Sequence, residues 1–404
     1  MNMDKLKRIL CVLLSLCIVI GFASCKKDNS DENVTDTSST TQASDENTKD
    51  DELKVLSLNK EYISHYEWYE DTSTMLVRSE YSDVILDKSM EEQYPLLAKT
   101  LADTSAMRKR AMEDEKDNFI ALATDDFESD SVNFSTYVSA LDVQARRADG
   151  IAVSILEDYI TEDSRSFNGI SYDTESGKEL ALADVFTDVS KISATVEKEI
   201  MSRIGEDEPF GGTAVIEYFK NTPEDSITWT LDYNGVTFYF NAGDIAPTNF
   251  GVQVVTVTFA EHSDLFNEKY TVVPDEYIVS LPVSAPFYTD ITGDKKVEEL
   301  TASGDYDEDT KFYHTISINS ENSEIEAEWF SYIEPHYVKT ADGKSYLCVF
   351  SVNNEEEGKE FTLSVYELEN GKAKLLSTSK TGLECKGENV FALPANPAEL
   401  VSVG

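Results

Sequence analysis

Apolar and polar positions alternate along this chain in two patterns, one typical of strands and the other of helices. Ile192, Val196 and Ile200 recur at four-residue spacing, which is typical of the buried face of an amphipathic helix. We expect Ser190 to cap that helix and Gly205 to end it. Runs rich in Val, Ile, Tyr and Trp, separated by polar turns, predict strands over 55–68, 75–86, 137–146, 151–160, 227–231, 236–240 and 252–259.

A longer helix is predicted in the stretch that follows residue 88. Ser89 and Glu92 match the capping-box pattern, and Pro95 is tolerated only in the first turn of a helix. The helix therefore begins between Glu91 and Pro95, and its charged middle, 108–116, indicates that one side faces water. A short helix is also expected over 213–219. The apolar side of the long helix is formed by Tyr94, Leu97, Leu101, Met112, Phe119 and Ala123.

Past residue 275 the pattern changes to strand-like runs that are separated by Gly- and Asn-containing turns. Residues 346–352, 361–368 and 373–378 predict a meander of antiparallel strands. We therefore predict an α+β fold in two domains. Residues 53–275 form a mostly antiparallel sheet with packed helices, and residues 276–404 form a second, β-rich domain.

The N-terminus has the pattern of a targeting segment. Lys5, Lys7 and Arg8 precede an apolar run over 9–20, which is shorter than the roughly 20 apolar residues that span a bilayer. The Phe-Ala-Ser-Cys ending resembles a bacterial lipobox, which implies cleavage of residues 1–24 and lipidation of Cys25. Residues 25–52 are acidic and rich in Ser and Thr, and they predict a disordered tether. We expect a lipid-anchored protein on the outer face of the bacterial cytoplasmic membrane.

The charge balance restricts the partners of the chain. Its 404 residues include 77 Asp and Glu against 34 Lys and Arg, for a formal net charge of −43. Such a surface repels nucleic acids and anionic lipid headgroups, so we expect neither as a partner. It attracts cationic proteins and divalent cations. A plainer interpretation, that acidity keeps a secreted protein soluble, stays open.

The stretch 167–186 predicts a strand, a tight turn, a second strand and the start of a helix. Asp173 is placed to accept hydrogen bonds from the turn amides, and Gly177 supplies the positive φ that closes the turn. Leu180 and Leu182 alternate with other residues as on a half-buried strand. Asp184 occupies the position expected of a helix N-cap.

Residues Asn168 to Phe186 resemble the signature of the extracytoplasmic domain family that includes the lysozyme-sensing anti-sigma factor RsiV and the PdaC-type peptidoglycan deacetylases. The hairpin turn 146–149 and the run 236–247 also follow the family pattern. The resemblance implies a domain that binds or senses a lysozyme-like cationic protein or peptidoglycan. Because only Met1 to Arg8 precede the apolar run, we expect that the chain itself holds no sigma factor.

The sequence contains no motif for catalysis. The histidines, at positions 65, 262, 314 and 336, lack the spacing of helical metal ligands, and no nucleophile elbow, Cys-x-x-Cys pair or phosphate-binding glycine loop occurs. We therefore expect a non-enzymatic binding or sensing protein without cofactor or metal. A glycan-binding module with exposed Trp and Tyr is one alternative. An envelope hydrolase with a carboxylate pair in a pocket is another.

Two pairs of residues allow more than one interpretation. Cys348 and Cys385 can form a disulfide in an extracytoplasmic protein or remain as two buried thiols. Asp290 and Asp294 resemble part of an Asp-rich calcium loop. Two lysines follow Asp294 directly and would repel a cation, which favours an ordinary turn.

Overall fold

The computed structural model describes residues 53–70, 72–162, 164–204, 214–293, 296–307, 312–318, 323–355, 358–369, 372–379, 385–387, 390–393 and 400–401. The targeting segment, Cys25, the tether and Gly205 lie outside these residues. Among the described residues, none of the helices combines the length and the apolar character needed to cross a membrane.

A mostly antiparallel sheet forms the first part of the chain. Strands β2 (Met75–Leu86) and β3 (Tyr137–Ala148) are its parallel neighbours, because the long helix α2 (Pro95–Ser129) crosses between them. The predicted strands over 75–86 and 137–146 are confirmed, the second with two further residues. The elements are β1 (Leu58–Trp68), β2 (Met75–Leu86), α1 (Lys88–Glu91), α2 (Pro95–Ser129), β3 (Tyr137–Ala148), β4 (Ala152–Thr161) and β5 (Arg165–Asp173).

Helix α2 packs its apolar side on this sheet, as its sequence predicted. Leu97, Leu101 and Met112 are buried in one cluster with Val143 and Ile155 of β3 and β4. The helix begins at Pro95, whose missing N–H is no loss in the first turn. The capping-box prediction is wrong. Asp87 caps the preceding helix α1, and its carboxylate accepts hydrogen bonds from the amide and hydroxyl of Ser89.

A second layer of helices and a three-stranded sheet follows. Its elements are α3 (Leu182–Val185), α4 (Ile192–Ile204), α5 (Ala214–Asn221), β6 (Trp229–Leu231), β7 (Gly235–Phe240), β8 (Gln253–Thr258) and α6 (Glu268–Thr271). The predicted helix face is confirmed, because Ile192, Val196 and Ile200 are buried against Phe238 and other side chains of the small sheet. The predicted cap is wrong, since Asp188 rather than Ser190 accepts the first amide hydrogen bond.

The turn around Gly177 has the predicted conformation, but the strand after it does not form. Gly177 has φ +63°, and the Asp173 carboxylate accepts from the amide of Ser176 at 2.9 Å. Beyond the turn only Glu179 makes a β-bridge. Asp184 is the third residue of α3, and its carboxylate accepts from the Ala181 amide at 2.9 Å. It therefore secures the helix start from inside the first turn.

The remaining chain is rich in strands. A second large sheet has the order β12-β13-β14-β15-β16-β17, and β9 pairs with β14. Strand β19 instead joins the first sheet and pairs with β1. The fold is thus α+β with several antiparallel sheets. The strands are β9 (Tyr277–Ser280), β10 (Phe287–Thr289), β11 (Glu298–Leu300), β12 (Ala302–Asp307), β13 (Phe312–Ile318), β14 (Ser323–Lys339), β15 (Ser345–Glu355), β16 (Gly358–Glu369), β17 (Lys372–Ser379), β18 (Cys385–Gly387) and β19 (Val390–Leu393).

Both large sheets belong to one compact unit that extends from Glu52 to Gly404. The first sheet also lies very close to the three-stranded one. A Cβ atom on Gly169 of β5 would stand 2.1 Å from the carbonyl oxygen of Trp229 on β6. The domain boundary near residue 275 stays a prediction.

Candidate functional site

The hairpin turn 146–149 carries two buried arginines. The guanidinium of Arg146 forms a two-point ion pair with Asp232, with Nη2–Oδ2 at 2.9 Å and Nε–Oδ1 at 3.3 Å. Its Nη1 donates to the carbonyl oxygen of Ser280 at 2.8 Å. Arg146 therefore joins β3 to the β6–β7 turn and to β9, and no solvent reaches it. This geometry supports the fold and leaves no room for a substrate.

Arg147, the next residue, has a similar structural role. Its Nε donates to Asp149 at 2.8 Å, and its remaining nitrogens donate to the carbonyl oxygens of Tyr270 and Val272. The second carboxylate oxygen of Asp149 accepts from two amides of the turn. The motif therefore fixes the hairpin and the segment after α6 in one arrangement.

A second buried network connects the first sheet to β14. The ammonium of Lys60 lies 2.7 Å from Asp142 and 2.8 Å from Glu334. Burial, the largest single effect, raises the pKa of the Asp142 carboxyl, but the Lys60 charge and the hydrogen bonds from Lys60, Ser82 and Gln144 together lower it below its ordinary value. Burial lowers the pKa of the neighbouring His336, whose Nε2 lies 3.4 Å from Glu334. Lys60, Glu334 and His336 are buried and the Asp142 side chain is 26% exposed, so the network links the sheets and offers no open cavity to a substrate.

The other histidines occupy three different settings. His65 lies on β1 beside Glu67, and both side chains are well exposed. His262 lies in the turn after β8, with Nε2 3.0 Å from Oε1 of Glu199 on α4. His314 lies on β13, and its side chain is outside the described residues. No local pattern predicts the Glu199–His262 pair, because its two residues are 63 positions apart in the chain.

The structure bears on the calcium-loop interpretation of Asp290 and on the disulfide interpretation of Cys348. The Asp290 carboxylate accepts from the amide of Gly293 at 2.6 Å, and Glu298 accepts from the amide of Ile291 at 2.7 Å. This is the pattern of an ordinary turn, and Asp294 lies outside the described residues. Cys348 is a free, buried thiol, and burial raises its pKa to about 12. The side chain of Cys385 is not among the described ones.

An exposed acidic surface covers the C-terminal half of α2. Between residues 113 and 128 Lys116 is the only basic residue. At about 100° per residue, five exposed carboxylates fall within roughly 120° of the helix circumference. That arc lies opposite the buried side of Met112 and Ala123. These five residues, here named the acidic face, are Glu113, Asp114, Asp117, Asp125 and Glu128.

Aromatic side chains pack beside the end of the acidic face. The rings of Tyr69 and Phe127 are 4.6 Å apart, and those of Phe127 and Phe134 are 5.3 Å apart. The Tyr69 hydroxyl donates to Glu128 at 3.3 Å, and the Tyr137 hydroxyl donates to Asp126. The acidic face thus ends at an aromatic cluster that holds the helix end on the sheet.

A separate pair of aromatic residues is exposed on β1. Tyr66 and Trp68 are two positions apart, so both point to the same side of the strand, and they are 37% and 45% exposed. The Tyr66 hydroxyl donates to Glu80 at 2.6 Å. Trp229, by contrast, is a core residue, and the Trp329 side chain is outside the described ones.

A shallow cleft of about 420 Å³ lies between the end of α5 and the loop after β7. Burial raises the pKa of Asp244 there, while Glu217 is exposed at the surface of α5. The two carboxylates do not share an enclosed, water-poor cavity of the kind that general acid catalysis uses. The cleft is lined by Ala214, Glu217, Tyr218, Asn221, Thr222, Gly243 and Asp244.

The helices and small sheet of the second layer contain a recognisable domain. Residues 183–260, from α3 to the end of β8, match the family described as "Protein of unknown function (DUF3298)". This domain is also found in RsiV- and PdaC-type extracytoplasmic proteins. No curated protein matches the chain.

Two solved structures of DUF3298 proteins are similar to part of this chain. The protein from Bacteroides fragilis NCTC 9343 is 12% identical and covers 54% of this chain and 96% of its own, with a TM-score of 0.39. The protein from Pseudomonas aeruginosa PAO1 is 12% identical and covers 53% of this chain and 96% of its own, with a TM-score of 0.35.

Proposed function

We propose that the chain is a lipid-anchored binding protein on the outer face of the bacterial cytoplasmic membrane, which captures a cationic protein such as lysozyme. The observation that supports it best is the acidic face of α2, where five exposed carboxylates share one side of a rigid helix. A helix packed on a sheet holds these charges at fixed spacing. A basic partner therefore meets a preorganised field rather than a flexible tail.

The resemblance to the lysozyme-sensing domain supports the same class of partner. The DUF3298 match over residues 183–260 agrees with it at the level of the domain. The turn 146–149 has no part in the proposed binding, because both of its arginines are buried and paired with carboxylates.

Binding of hen lysozyme to the fragment 53–404 is expected to weaken steeply as salt rises. Exposed charges farther apart than a Debye length, about 8 Å at physiological ionic strength, are largely screened from each other. The triple variant Glu113→Gln, Asp114→Asn, Asp125→Asn is expected to bind about tenfold more weakly, since each exposed charge contributes a few tenths of a kcal/mol. Calorimetry or surface plasmon resonance at low and high salt measures both effects.

A matched control is the triple variant Glu175→Gln, Glu224→Gln, Glu268→Gln. These exposed residues lie outside α2, and the variant loses the same net charge. It is expected to bind like the unmodified fragment. Equal weakening by both triple variants would place the effect in the overall charge and not in the acidic face. Failure of the unmodified fragment to bind any cationic protein would refute the proposal.

Replacing Cys25 with Ala is expected to abolish lipidation. The thiol is the atom that carries the diacylglyceryl group in a lipobox protein, so the variant is released or left unprocessed. Mass spectrometry of the membrane fraction measures the adduct, and Cys11→Ala, inside the apolar run, is the control. A Cys25→Ala product that stays on the membrane with the same mass shift contradicts the anchor.

A glycan-binding module is a second candidate, and the exposed pair Tyr66 and Trp68 favours it. Sugar rings stack on such faces, and stacking depends little on salt. Soluble peptidoglycan fragments are therefore titrated in parallel with lysozyme. Salt-insensitive glycan binding that Trp68→Ala removes, with no lysozyme binding, would favour this candidate instead.

A further inference from the structure

Three side chains of metal-ligand type meet between α4 and the turn after β8. Glu199 comes from the helix, and Glu261 and His262 come from the turn. One oxygen or nitrogen atom from each residue lies within 4.8 Å of the others. The closest pair is His262 Nε2 and Glu199 Oε1, at 3.0 Å.

The protein holds these groups in place through the core and the turn. The His262 amide donates to the carbonyl oxygen of Thr258 at 3.1 Å. The Thr258 hydroxyl donates to the Glu261 carboxylate at 3.2 Å and accepts from the Glu261 amide at 3.3 Å. The side chains of His262 and Glu199 are only 15% and 12% exposed, and Ile200 beside Glu199 is a core residue. The cluster is therefore a built part of the fold.

The distances fit a small divalent ion. Ligand atoms at about 2.0–2.2 Å from zinc lie about 3–3.6 Å from one another, and the His262–Glu199 distance is in that range. The Glu261 carboxylate lies within 4.8 Å of the other two ligand atoms, so a small movement of this exposed side chain completes the set of ligands. Two carboxylates and one neutral imidazole neutralise a dication. Because calcium and magnesium prefer oxygen ligands alone, the imidazole selects a transition metal.

We propose that Glu199, Glu261 and His262 bind one divalent transition metal of the zinc class. The ion would tie α4 to the turn after β8, and its fourth position would stay open to water. The sequence analysis predicted no metal because no two histidines have the spacing of ligands on one helix. The ligands proposed here come instead from a helix and from a separate turn. The site is independent of the acidic face and of the proposed partner.

The full chain, purified in detergent and stripped with EDTA, is dialysed against ZnCl₂ in excess MgCl₂. Excess magnesium competes with zinc for any binding to carboxylates alone, because Mg²⁺ prefers oxygen ligands. His262→Ala and Glu199→Gln are expected to bind one Zn²⁺ fewer per chain, with affinity at this site at least about tenfold lower. Co²⁺ added to the unmodified chain is expected to give visible ligand-field bands that both variants lack.

The control is His65→Ala, which removes a histidine 3.1 Å from a glutamate where both side chains are more exposed than those of His262 and Glu199. It is expected to bind zinc like the unmodified chain. Glu199→Gln keeps the size of the side chain and its hydrogen bond to His262, so it tests the site even if His262→Ala fails to fold. Equal zinc stoichiometry and affinity in the unmodified chain and Glu199→Gln would overturn the proposal.

Discussion

Replacing Arg146 with Met is expected to destabilise the folded chain by about 3–5 kcal/mol, because it leaves Asp232 as a buried charge without its partner. The same change removes the hydrogen bond to the Ser280 carbonyl oxygen and so loosens β9. Urea unfolding of the fragment 53–404, followed by circular dichroism, measures the loss.

Two comparisons make the Arg146 result specific. The double variant Arg146→Met, Asp232→Asn is expected to recover part of the loss, since no buried charge then remains unpaired. Lys99→Met breaks an exposed pair with Asp103 and is expected to change the stability by less than about 1 kcal/mol. A loss for Arg146→Met as small as that for Lys99→Met would contradict a structural role of the turn 146–149.

Gly177→Ala is expected to cost about 2–5 kcal/mol through two separate effects. Holding an alanine at φ +63° destabilises the folded state by about 1–2 kcal/mol through backbone strain. Its Cβ would also stand 2.7 Å from the backbone of Leu96, and moving the start of α2 to relieve this contact adds about 1–3 kcal/mol. Denaturant unfolding of the same fragment measures the sum.

Gly343→Ala separates the two effects. Gly343 also has a positive φ, of +84°, but a Cβ there meets nothing within 4 Å. It is expected to pay the backbone strain alone. Equal losses of stability in the two variants would contradict a steric contribution from the close approach of α2 to the Gly177 turn.

Local patterns were enough to predict much of the fold. The four-residue spacing of Ile192, Val196 and Ile200 predicts that they share one buried helix face, and all three lie in the same hydrophobic core. The positive φ of Gly177 is likewise a local property of a turn sequence. Such features depend on near neighbours in the chain, so a single sequence contains them.

Long-range charge pairs were not predictable in this way. Arg108 belongs to the charged middle of α2. The sequence analysis predicted that this part of the helix faces solvent, yet Arg108 is buried. Its guanidinium pairs with Asp83 at 2.8 Å and with Glu157, which come from two different strands. The Glu199–His262 pair was missed for the same reason. In a chain with 77 acidic residues, no local pattern shows which carboxylate meets which cation.

The pairing of β1 with β19 also bears on the order in which the chain can fold. Leu58 pairs with Leu393, so one edge of β1 waits for a segment that is synthesised much later in the chain. Contacts between distant positions form slowly, because a long loop must close before any hydrogen bond is gained. During that interval one edge of β1 offers free backbone groups to other chains. Newly made molecules are therefore most prone to aggregate before β19 is synthesised, and truncation ahead of Val390 would make that state permanent.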